Sequence, residues 1–164
     1  MSVQKSYNYF AAKGVAGGLF DLSPHRVDSR VNGETVPGAM KFGMGAVQGE
    51  KPGTNVLLPD NDSTADVFEG LVLTGHTTEM SDDGKVRLQK FQTVGILRWG
   101  KAWALVASDA APSYGEQLYL VINEGDDRGK FTNVAENNLP INGRFVGDSG
   151  NGGIAPVEIF AQIS

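Results

Sequence analysis

The chain has 164 residues, 22 glycines, 7 prolines, no cysteine and a formal net charge of −5. Glycine or proline recurs about once in six positions, leaving few windows long enough for a typical helix of about 11–12 residues; helical bundles, coiled coils and doubly wound α/β domains are excluded as first readings. An apolar share of 40% against 20% charged residues is enough to bury a core, so a disordered chain is excluded as well.

In chain order, residues 1–59 are rich in glycine and proline, and their apolar residues come in short, irregular pieces. Only 26–31 and 40–47 alternate with the period of a strand, and Gly43 and Gly45 interrupt the second of these. This part is expected to be an extended, loop-rich arm of short strands that lies on a partner surface. Residues 60–164 carry regular strand and turn punctuation and are expected to form a compact β-barrel or sandwich. The expected strands are 67–73, 86–92, 94–99, 102–107, 117–123, 144–146 and 157–163. Turns are expected at Ser81-Asp82-Asp83-Gly84, Trp99-Gly100-Lys101, 124–129, Asn142-Gly143 and Asn151-Gly152-Gly153. Residues 60–69 and 102–111 also admit a helix, but their β-branched and aromatic content favours strands. The fold class is therefore all-β.

Motifs that could carry chemistry are few. Gly147-Asp148-Ser149-Gly150 has the look of a protease nucleophile segment, with Leu73-Thr74-Gly75-His76 as its histidine segment. Only 15 residues follow Ser149, too few to complete the second barrel that holds such a triad, so a hairpin tip is the simpler reading. Asp60-Asn61-Asp62-Ser63-Thr64-Ala65-Asp66 opens like a calcium loop, yet Ala65 and Leu71 stand where an EF-hand needs Gly and Glu. The two histidines, His25 and His76, have no carboxylates at zinc-site spacing. The glycine-rich stretches lack the Lys-Ser/Thr of a phosphate loop. No Lys/Arg cluster offers a field for nucleic acid. No apolar run is long enough for a membrane helix, and no secretory-type segment opens the chain. No catalytic residue, cofactor or metal is expected. Trp99, Trp103 and Tyr114 could form a stacking platform for sugars, the basis of an alternative reading as a carbohydrate-binding β module on a virion surface, although core packing of the two tryptophans is the simpler account.

Three stretches carry a family likeness. They are residues 65–73 (ADVFEGLVL), 95–106 (GILRWGKAWALV) and 143–159 (GRFVGDSGNGGIAPVEI), and their order and spacing extend over about 100 residues. In these the chain resembles the structural cement, or head decoration, proteins of tailed bacteriophages. The resemblance implies a β-rich protein without enzyme activity that clamps neighbouring capsomers of the assembled head, and the lack of cysteine leads us to expect a chain made in the host cytoplasm. The resemblance also implies the major capsid protein as partner, together with self-association as a homodimer or homotrimer. The acidic balance suits an outer shell surface. The aromatic and apolar residues of the arm, Tyr7, Tyr9, Phe10, Leu19, Phe20, Met40, Phe42 and Met44, are the expected capsid contacts, because interface anchors are commonly aromatic or large apolar side chains.

Overall fold

The computed structural model describes residues 14–75, 84, 87–149 and 153–162. It is essentially all-β, with about 40% of the described residues in strands and 2% helical. The strands are β1 (Arg26–Asn32), β2 (Gly45–Gln48), β3 (Asn55–Leu57), β4 (Phe68–Val72), β5 (Thr93–Leu105), β6 (Gln117–Val121), β7 (Phe131–Thr132), β8 (Asn138–Phe145) and β9 (Ile154–Ile159). One 3-10 turn, Ala65–Val67, precedes β4.

Five of these strands close on themselves. β1 runs parallel to β3, β3 antiparallel to β2, β2 to β4, β4 to β5, and β5 returns antiparallel to β1. Closure removes the sheet edges that would otherwise invite pairing with other chains. β5 then continues into a second, open sheet of order β5-β9-β8-β6-β7. Its thirteen residues thus serve two sheets: 93–99 pair within the barrel and 100–105 pair with β9.

The change of partner falls at Gly100, where φ is +128°, a backbone conformation that side-chain-bearing residues rarely adopt. A Cβ there would stand 2.5 Å from His25 Cβ. The tight turn expected at Trp99-Gly100-Lys101 is instead a bend inside one continuous strand. Each half of β5 finds a full ladder on its own, so no reversal is needed. The strand expected at 86–92 is also absent where it is described: residues 87–92 form an irregular approach to β5.

Two cores follow from the two sheets. The barrel interior holds Met40, Met44, Ala46, Val56, Val72, Val94 and Ile96. The second core lies beneath the open sheet and holds Leu71, Leu97, Leu118, Leu120, Phe131, Phe145 and Val157, with Phe68 and Phe131 meeting edge to face at 6.4 Å. Burial of each such side chain is worth about 1.5–3 kcal/mol. Both prolines of the open sheet sit where a ladder bond is dispensable. Pro140 precedes residues 143–145, the only part of β8 that pairs with β9. Pro156, on β9, lies one residue past the last β8 partner, Phe145 opposite Val157, and its carbonyl accepts from the Val146 N–H at 2.9 Å.

The first 59 residues therefore do not stand apart from the rest in their described part. β1, β2 and β3 are staves of the barrel; β1 is hydrogen-bonded to β5 and β2 to β4 across the expected boundary, and β3 joins β1 to β2. Glycine is what allows this. Gly45 opens β2 with no room for a Cβ against Leu120, and Gly43 lies against the backbone of Leu105.

Candidate interaction surface

Residues 14–22 form a strap along the edge of the 100–105 half of β5 that faces away from β9. The Gly17 N–H donates to the Trp103 carbonyl at 2.7 Å, the Trp103 N–H to the Gly18 carbonyl at 2.8 Å, and the Phe20 N–H to the Lys101 carbonyl at 3.1 Å. Leu19 and Ala102 form an antiparallel bridge. Gly14 lies so close to the Trp103 indole that a Cβ would overlap it. The strap both covers a sheet edge and carries apolar side chains outward. Leu22 is 98% exposed, and Val15, Leu19 and Phe20 are exposed beside it in sequence. Phe20 rests one side of its ring on Trp103, 5.5 Å between centroids, and leaves the remainder to solvent. Lys101 and Asp21, 3.5 Å apart, mark the polar border of the strap. The Ser23 hydroxyl and amide donate to the Asp21 carboxylate and hold its pKa below the ordinary value.

Of the residues expected at a partner surface, Tyr7, Tyr9 and Phe10 lie outside the described residues. Leu19 and Phe20 are on the strap. Met40 and Met44, 1% and 3% exposed, point into the barrel, with Phe42 partly buried against the same core. Their alternation with Gly43 and Gly45 reads equally as an interrupted partner-facing strand and as the lid of a barrel, and only closure of the barrel decides between the two. Leu22 carries the greatest exposure on the strap yet stood outside the expected set. Its signal was its place beside Leu19 and Phe20, just before Pro24.

A polar network covers the outer barrel wall. Glu69, buried on β4, accepts from Arg98 Nη1 at 2.5 Å and lies 3.4 Å from Arg30 Nε; Asp28 joins Arg26, Arg30 and Arg98 at 3.2–3.7 Å. A cleft of about 180 Å³ opens between this network, Trp99 and Phe160. Its charges are paired with one another, which is what a structural cross-brace requires.

The other motifs are occupied locally. Asp60 accepts from the Asp62 N–H at 3.1 Å and the Ser63 hydroxyl at 2.9 Å, so the calcium-like stretch is a self-capped turn leading into β4. Among the described residues no group of three His, Asp or Glu side chains could hold a metal ion. His76, the partner that Ser149 would need, lies outside the described residues. Of the aromatics suited to stacking a sugar, Trp103 is covered by Phe20 and Gly14, and Tyr114 has the Arg144 guanidinium 5.4 Å from its ring centre.

A closed barrel continued into an open sheet, with paired charges on its wall and apolar side chains on an edge strap, defines a small all-β structural protein. The model of the phage structural cement protein family (E217 gp24/Pam3 gp6) matches residues 3–160, and the chain belongs to that family. A chain of the solved capsid of Myoviridae phage XM1 shares the fold, with a TM-score of 0.68 over 97% of this chain and 98% of that one at 19% identity. No curated protein sequence matches. Family membership gives the protein a structural, capsid-associated role in the virion.

Proposed function

We propose that this protein binds the outer surface of the assembled phage head and stabilises it by bridging neighbouring major capsid protein subunits, acting as a homo-oligomer and without enzymatic activity. The strap is the observation that supports this reading. It is tied to β5 by backbone hydrogen bonds through Phe20, so Leu19 and Phe20 are held in place before any partner arrives, with Leu22 two residues further on, and little ordering entropy opposes burial of the first two. Full burial of a Leu or Phe side chain contributes about 1.5–3 kcal/mol. Leu22 stands to gain nearly all of that, and Phe20 less because Trp103 already covers part of it. Anything that binds the assembled shell and not its dissociated parts stabilises the shell by mass action. Tyr7, Tyr9 and Phe10, a few residues upstream, extend the proposed contact.

The test uses undecorated heads and the full chain in which Leu19, Phe20 and Leu22 are all replaced by Ser. The expected result is loss of stoichiometric decoration density and of the gain in shell melting temperature, with the free protein's own melting temperature kept within a few degrees. Decoration at wild-type occupancy by the triple variant would overturn the assignment of the strap.

A further inference from the structure

The irregular approach to β5 ends in a strained residue. Phe91 has φ +71°, a conformation that is an outlier for a bulky side chain, and it is 76% exposed. Its conformation is imposed from beneath. Asn32, fully buried at the end of β1, donates its backbone N–H to the Gln92 carbonyl at 2.9 Å and accepts the Phe91 N–H at 2.8 Å. Its side-chain Nδ2 donates to the Gln89 carbonyl at 3.0 Å, while Oδ1 accepts from the Glu34 N–H at 3.0 Å. A buried, satisfied asparagine is thus used to hold an aromatic ring in water. Beside the ring lies a groove of about 620 Å³, with half-buried Val31 and Leu57 on its floor and Glu50, Lys51 and Lys90 on its rim. Lys90 Nζ stands 5.1 Å from the Phe91 ring centre.

A projecting apolar ring, an apolar groove next to it, and a rim carrying both signs of charge form a surface complementary to itself. A two-fold pairing of this face would set each ring against the other copy's groove, with Glu50 and Lys90 as rim charges of opposite sign available to pair between copies. We propose that this face is the self-association surface of the protein, its occupant a second copy of the same chain. This specifies the homo-oligomer proposed above. The strap borders 101–103 and Phe91 precedes Thr93, so the two surfaces lie toward opposite ends of β5, a strand that at about 3.3 Å per residue reaches up to roughly 40 Å. One end can engage a shell while the other joins a second copy.

Sedimentation velocity on the free full chain, from micromolar to hundred-micromolar concentration, tests this without capsids. The wild type is expected to reach twice the 17.4 kDa chain mass. Phe91→Gly and Phe91→Asn, which accept the positive φ more readily, are expected to weaken association at least tenfold with no fall in melting temperature. Glu50→Lys and Lys90→Glu are each expected to weaken it, and the double variant to restore it. A wild type that stays monomeric overturns self-association and this surface together. An oligomer unchanged by Phe91→Gly overturns the surface alone and leaves the homo-oligomer standing.

Discussion

At the scale of the residue, single atoms decide where this backbone can go. Gly70 has φ +148°, and a Cβ there would overlap the Leu97 carbonyl of the neighbouring strand. Gly53, also at positive φ, has open space around its would-be Cβ. Gly70→Ala is therefore expected to cost about 2–3 kcal/mol and Gly53→Ala about 1–2, as read from denaturant midpoints. Equal losses would show that backbone conformation alone matters at both sites. Asp127 offers a second residue-level test. Burial raises its pKa, but hydrogen bonds from the Ser108 hydroxyl and amide and from Lys130 outweigh burial and leave it below the ordinary carboxylate value of 3.8. A lowered folded-state pKa adds stability that is fully present above the unfolded value and is lost as pH falls through the folded one. Asp127→Asn should thus be less stable than wild type at neutral pH, and the gap should close as the pH is taken below 3.8. A gap independent of pH would remove the carboxylate charge from the account.

At the scale of the element, the local pattern served where a strand carries its own alternation or an unbroken apolar run. β1, β4 and β6 lie within or close to the expected segments because their alternation or continuous apolar runs are local properties. Residues 55–57 and 131–132 were illegible. Strands of two or three residues show no period, and they exist because neighbours present open ladder groups. β8 begins six residues before the segment expected at 144–146, since Pro140 and Asn142-Gly143 read as breakers. In place, those residues occupy positions that only one neighbouring strand constrains. Met40 and Met44 illustrate the same limit at the surface expected to meet a partner. An apolar residue beside glycine can pack on another molecule or on the rest of its own, and the chemistry of the side chain is identical in both cases.

For the whole molecule, the central fact is that β5 belongs to both sheets. The barrel core and the open-sheet core share this strand, so neither can lose it without exposing the other's apolar face. Ile96→Ala, in the barrel, and Phe131→Ala, under the open sheet, are expected to cost about 2–5 and 3–5 kcal/mol. Both should shift one and the same calorimetric transition, with calorimetric and van't Hoff enthalpies equal. Two separated transitions in either variant would mean that the sheets fold as independent units.

Composition and local pattern were sufficient for the all-β class and for the family likeness carried by 65–73, 95–106 and 143–159. These depend on breaker density, short-range alternation and motif order, all of which are written along the chain. Closure of the barrel by β1 to β3, the uninterrupted course of β5 through Gly100, the burial of Met40 and Met44, and the outward setting of Phe91 were decided by tertiary structure. Each rests on hydrogen bonds or packing between residues far apart in sequence, such as Asn32 with Gln89 or Gly43 with Leu105, and a local pattern holds no record of which distant group will satisfy it.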